Sequence, residues 1–165
     1  MESFEYYSFY RGVSASHDIK IPTIVTPRKD RRPKDTDPAI HQVADEWFYK
    51  KFGICFRSQG VFVTSCKFTA RNYGATPDHL VRIIPLGGYE YCWSPSVKDM
   101  LFLLKNKQSI EVDGLLEQSS YQGTDLAEAY KSENELMLFC EKYIQIPVSM
   151  LEPPVAANSS GLILF

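Results

Sequence analysis

Apolar residues recur along this chain with two periods, and the switches between them mark out the elements. Residues 4–10, FEYYSFY, are aromatic and β-prone and run into Arg11-Gly12, which predicts an opening strand ended by a glycine turn. Thr23-Ile24-Val25-Thr26 predicts a second short strand. Asp37-Pro38 is a helix start, with Asp as the cap and Pro in the first turn. Ile40, Val43, Ala44, Trp47 and Phe48 follow at helical spacing, up to a stop at Gly53. Gly60 to Thr64 predicts a strand, and Phe68 to Tyr73 a short helix closed by Gly74. His79 to Pro85 and Tyr89 to Trp93 read as two strands on either side of a Gly87-Gly88 turn. Ser94-Pro95 predicts a helix with Val97, Met100, Leu101 and Leu104 on one face. Ser109 to Val112 reads as a short strand, and Asp125 to Tyr130 as a short helix capped by Thr124. Glu135 leads into a strand, Leu136 to Cys140, with Tyr143 to Met150 as its hairpin partner. The sum predicts one α+β domain over residues 1–150 and a mobile tail over 151–165.

Composition narrows the class. Hydrophobic residues at 44% and charged residues at 23% describe a globular chain, and aromatics at 13% supply a substantial core. Lys plus Arg number 18 against 20 Asp plus Glu, a net charge of −2, so no chain-wide footprint for nucleic acid or an anionic membrane exists. The segment 27–38, PRKDRRPKDTDP, is the local exception. It predicts an exposed loop that concentrates Arg28, Lys29, Arg31, Arg32 and Lys34, interleaved with Asp30 and Asp35. The N-terminus lacks the basic and apolar blocks of a secretory signal, and no apolar run approaches the roughly 18 residues of a membrane helix. No membrane partner is therefore expected, and the expected location is a cytoplasm, its own or a host's. Cys55, Cys66, Cys92 and Cys140 are scattered without a CxxC pair, which predicts reduced thiols and no metal site.

Four places carry candidate chemistry. Arg11, between Tyr10 and Gly12 at a strand end, suits a phosphate or diphosphate at a cleft edge, and suits a solvated strand end equally. Thr64 and Ser65 deliver two hydroxyls to the end of a strand, where they either brace a neighbouring loop or cap the next turn. Glu133 and Glu135, two apart in extended chain, would point the same way. Such a pair can stabilise a developing positive charge on a sugar while orienting a nucleophile, or can simply form a charged turn. The Arg28–Lys34 run is either a solvated loop or a local contact for a nucleotide or nucleic acid, through Arg28, Arg31 and Arg32. No GxGxxG or GxxxxGK motif is present.

In their order along the chain these places resemble the mono-ADP-ribosyltransferase superfamily, in its Arg–Ser/Thr–Glu branch. Tyr10-Arg11-Gly12 is similar to the family's first motif, GVFVTSCKFTARNYG at 60–74 to its Ser-Thr-Ser strand and following helix, and Glu133-Asn134-Glu135 before LMLF to its Glu-x-Glu loop. Val63 stands where the family has the first Ser. The resemblance implies a split, two-sheet β core with flanking helices and NAD as co-substrate, without a metal. It implies that Arg11, with Tyr10 and Gly12, binds NAD, that Tyr73 stacks on nicotinamide, and that Thr64 and Ser65 brace the active-site loop. Glu135 would stabilise the oxocarbenium-like transition state, and Glu133 would position or activate the acceptor. The implied partners are NAD, a macromolecular acceptor (protein or RNA/DNA) and, for a toxin or defence factor, an antitoxin or inhibitor protein. NAD glycohydrolysis and an inactive binding module of the same fold are the alternatives.

Overall fold

The computed structural model describes residues 3–152; most of the expected tail, 153–165, lies outside the described residues. Two long strands organise the chain: β4 (Leu80–Trp93) and β5 (Leu136–Pro147) pair antiparallel along nearly their whole length. β1 (Phe9–Gly12) adds to the start of β4, and β2 (Thr23–Val25) to the far half of β5. β3 (Val61–Val63) pairs with the first residues of β5. An isolated bridge between Tyr10 and Thr64 ties β1 to the end of β3. The five strands make one antiparallel sheet, with helices packed against it. The expected division into two separate sheets is replaced by two arms that share β4 and β5.

The alternation of side chains along β5 explains its unbroken apolar run. Leu136 and Leu138 enter one core, with Phe9, Val61, Val63, Val81 and Leu126. Met137, pointing the other way, enters a second core with Trp47, Phe48, Phe56, Cys92 and Leu116. That second core is covered by helices α1 (Pro38–Phe52), α2 (Phe56–Gln59), α4 (Met100–Leu104) and α5 (Ser109–Gln118). α3 (Lys67–Arg71) lies beside β1, and α6 (Leu126–Ser132) packs on the first core. α1 begins as its sequence predicts: the Asp37 carboxylate accepts from the Ala39 and Ile40 amides, and Gly53 closes the helix at φ 75°.

Several sequence expectations are corrected. Phe4–Tyr6 is a 3₁₀ turn, and the strand starts only at Phe9; Phe4 instead folds back on Phe9, with ring centroids 4.8 Å apart. Gly87-Gly88 is no hairpin but an irregularity between Leu86 and Tyr89, because the β5 partners continue past it. Likewise, Glu141-Lys142 only resembles a turn; both are exposed opposite that irregularity, and β5 runs through. Ser109 to Val112 is helical, since Val112 and Leu116 are buried one turn apart and the Glu111 carboxylate accepts the Gln108 amide at 2.7 Å. α6 starts after Asp125, and Thr124 uses its carbonyl to accept the Trp93 indole N–H at 2.7 Å. Residues 94–99 form no helix; the buried Ser94 hydroxyl accepts from the Ser96 and Val97 amides and donates to the Ser119 carbonyl, and a shorter α4 starts only after Asp99, which is extended and caps it. All four cysteines are free; Cys92 and Cys140 are buried, Cys55 and Cys66 half-buried.

Gly12 sets the distance between β1 and the α3 turn. A Cβ there would lie 2.4 Å from the Ala70 carbonyl oxygen and from the Gly74 nitrogen, and 2.7 Å from the Tyr73 carbonyl carbon. All three are backbone atoms, which cannot swing away. Gly12→Ala is therefore expected to cost about 1–3 kcal/mol by overpacking, measured by urea denaturation; an unchanged midpoint would refute this close approach.

Candidate active-site cleft

A cleft of about 500 Å³ opens where the end of β1, the end of β3, the 94–99 loop and the start of β5 converge. Tyr10, Arg11, Gly12, Thr64, Tyr73 and Glu135 all line it. The close approach at Gly12 brings Tyr73 to the Arg11 side of the cleft. At the opposite wall Asn134 donates to the carbonyls of Ser94 (3.0 Å) and Pro95 (3.3 Å), and the Glu135 amide donates to the Lys98 carbonyl at 2.9 Å. These bonds seat Glu135 directly before β5. Its carboxylate accepts the Met100 amide at 3.3 Å.

The hydroxyls after β3 hold the turn that precedes Glu135. Thr64 Oγ1 donates to the Glu133 carbonyl at 2.9 Å, and Ser65 Oγ donates to the Tyr130 carbonyl at 2.6 Å. Ser65 itself does not line the cleft. Val63 is a core residue, buried and paired with Leu136. Glu133 closes α6 in the left-handed region at φ 58°, is exposed, and is not among the cleft-lining residues. The left-handed turn interrupts the extended alternation assumed from sequence, so the two glutamates do not share a face.

A different carboxylate accompanies Glu135. Asp99 caps α4 by accepting the Leu101 amide at 2.7 Å, and its other oxygen accepts the Tyr73 hydroxyl. Burial, and then the negative charge of Asp99, push the Glu135 carboxyl up to about 7, against the Met100 amide and the guanidinium groups of Arg57 and Arg31. Burial and the Asp99 contact likewise raise the Tyr73 hydroxyl, keeping it a neutral donor.

The basic loop is divided. Arg28 is exposed and pairs with Asp30 at 3.3 Å. Arg32 is exposed and lines a separate concavity of about 720 Å³, with His41, Asp45 and Cys55. There the Cys55 thiol is pushed up by burial and by Asp45, so the thiolate needed for nucleophilic chemistry is disfavoured. Arg31, expected to be exposed, is half-buried in the cleft, because its guanidinium lies 4.3 Å above the Phe62 ring and its amide donates to the Ser58 carbonyl at 3.1 Å. Beside it is Arg57, at 1% exposure, which the sequence reading missed. Nothing in the local sequence distinguishes Arg57 from a solvated helix residue; Asp99, by contrast, is legible as a cap before Met100-Leu101. The cleft lining holds five basic side chains (Arg11, Arg31, Lys34, Arg57, Lys98) against three carboxylates (Asp35, Asp99, Glu135), on a chain of net charge −2.

No family model, curated protein or solved structure matches the chain. Among the described residues no helix is long and apolar enough to cross a membrane.

Glu135 makes the fold pH-sensitive. Its carboxyl sits near 7 when folded, against 4.5 ordinarily, so the folded state holds an extra proton between those values and loses stability as pH rises through that window. Glu135→Gln removes this penalty. The variant's melting temperature is expected to exceed that of the unaltered protein by more at pH 8 than at pH 5; an equal gap at both would refute the burial of this charge.

Proposed function

We propose that the protein is an NAD-dependent ADP-ribosyltransferase, cleaving the nicotinamide glycosidic bond and passing ADP-ribose to a macromolecular acceptor. One observation carries this reading: Arg11, Thr64, Tyr73 and Glu135, spread over more than 120 positions of the chain, meet in one cation-rich cleft. The three motifs that resemble the Arg–Ser/Thr–Glu branch contribute to the same surface. A dinucleotide fits the donor set, since the cleft offers the Arg11 guanidinium fork for a diphosphate and an aromatic ring for a flat base.

The division of labour follows from position. Arg11 holds the diphosphate, bidentate and fixed by the strand that carries it. Tyr73, anchored by its hydroxyl on Asp99, presents its ring to nicotinamide. Thr64 and Ser65 fix the backbone of the turn before Glu135, so the carboxylate is held in place before any charge develops. Ionised Glu135 then faces the positive charge that grows on the ribose as the glycosidic bond breaks. Glu135 is half-buried at the cleft wall, so water screens this interaction less than it would on an open surface. Asp99 raises the energy of ionised Glu135, and the approach of a cationic centre relieves that repulsion.

Glu135→Gln is expected to lower nicotinamide release by roughly a hundredfold or more while leaving NAD binding within a few-fold. Near-normal release would remove Glu135 from this role. In the unaltered protein kcat/KM is expected to rise with pH along a limb centred near 7, where free Glu135 ionises. A profile flat from pH 5 to 8 would contradict it. Arg11→Ala should weaken NAD binding by roughly 1.5–3 kcal/mol, the value of a charge-assisted bond, and Arg11→Lys should restore only part. Calorimetry on the two variants decides this.

A further inference from the structure

We propose that Arg31 and Arg57 form an anion site beside Glu135 that receives the acceptor, and that the acceptor is a terminal phosphomonoester of a nucleic acid strand. The inference rests on the reading of the cleft as a transferase site.

Both guanidinium groups stand over Phe62, at 4.3 Å for Arg31 and 5.8 Å for Arg57. Both line the same cleft as Glu135. Arg57 donates from Nη2 to the Thr36 hydroxyl at 3.1 Å, but its buried Nε has no partner. The buried Nη1 of Arg31 has none either. Among the described residues neither side chain forms an ion pair. Desolvating a cation is costly unless it is paired and hydrogen-bonded. Here two are desolvated side by side, and Arg11 adds like charge to Arg31. The effect is visible in Arg31, which burial and then the charges of Arg11 and Arg57 pull down to about 10. An anion with several acceptor oxygens, placed in the cleft that both side chains line, would pair the two cations and remove the repulsion. A phosphomonoester has that geometry and charge.

The chemistry is consistent with this acceptor. Glu133, the candidate base for a neutral acceptor, does not line the cleft. A phosphate dianion needs no base. One of its oxygens supplies the electron pair for a new C–O bond to the ribose carbon. The C–N bond breaks, and its electron pair leaves on the nicotinamide nitrogen. The cationic nicotinamide becomes neutral, the phosphate dianion becomes a diester monoanion, and no proton moves. A nucleic acid strand is favoured as the source because exposed Lys29, Arg32 and Lys34 flank Arg31 on the same segment, where the following phosphodiesters of a strand would meet them.

The test uses the full chain, NAD and a short oligonucleotide ending in a 5′-phosphate, a 3′-phosphate or only hydroxyls, with a phosphopeptide in a parallel arm. The expected product, identified by mass spectrometry, is ADP-ribose on the terminal phosphate of the phosphorylated strands, resistant to phosphatase. Equal transfer to the hydroxyl-ended strand, transfer to the phosphopeptide alone, or nicotinamide release with no capture would each overturn the proposal. Arg31→Gln is expected to reduce at least tenfold the share of released ADP-ribose that the strand captures. If it raised KM for NAD and left that share unchanged, the pair would belong to the NAD site and the proposal would fail. A second measurement needs no turnover: fluorescence anisotropy of the labelled strands on Glu135→Gln protein. At least tenfold tighter binding of the phosphorylated ends, falling with salt and abolished by Arg31→Gln, is expected; indifference to the phosphate overturns the site. Absence of nicotinamide release in every arm would instead count against the transferase reading, while the binding arm still decides the anion site.

Discussion

The pairing of β4 with β5 is the constraint on which the rest of the molecule depends. Because the ladder continues past the irregularity between Leu86 and Tyr89, one pair of strands serves both arms of the sheet. β1 attaches at one end and β3 at the other, and the Tyr10–Thr64 bridge draws their ends together. Had Gly87-Gly88 turned the chain back as a hairpin, the two arms would have had no fixed relation. Arg11 and Glu135 would then belong to separate pieces of sheet.

Around that frame, the cleft is built from groups held under electrostatic tension. Glu135 is raised by burial and by Asp99, while Arg31 is lowered by burial and by its arginine neighbours. The opposite charges favour one another across the cleft, yet no ion pair joins them among the described residues. A direct salt bridge would stabilise both groups and remove them from chemistry. Holding them apart on a rigid sheet end and on a strap over Phe62 leaves both fields available to a ligand carrying charge of each sign. Preorganisation of this kind is what the proposed transfer, a reaction with charge separation, would draw on.

The irregular segments are as important as the regular ones. Residues 94–99 form an irregular segment, in which the Ser94 hydroxyl accepts the Ser96 and Val97 amides and the extended backbone at Asp99 separates the segment from α4. That leaves Lys98 and Asp99 at the cleft, and lets the Lys98 carbonyl hold the Glu135 amide. The left-handed residue at Glu133 similarly turns the chain so that Glu135 alone enters the cleft.

Local chemistry was enough to read α1 with its Asp37 cap and Gly53 stop, the short β2 and β3, and the strand beginning at Leu136, because caps and side-chain period act over a few residues. Local chemistry also singled out Arg11, the Thr64–Ser65 hydroxyls and the Glu133–Glu135 pair as polar groups beside apolar elements, without separating the members that line the cleft from those that do not, and Tyr73 entered only through the family resemblance. The continuity of β4 and β5 was not legible, since a Gly-Gly pair and a Glu-Lys pair have the same composition in a bulged ladder as in a turn. Only the partner strand decides between them. Arg31 and Arg57 were hidden for a related reason. Whether an arginine is solvated or desolvated depends on Phe62 and on the chain that covers it, and these come from other parts of the sequence. The partner of Glu135 proved to be Asp99, 36 positions away, rather than Glu133 two positions away. Sequence period predicts a shared face only while the backbone stays extended, and the tertiary structure bends it at that point.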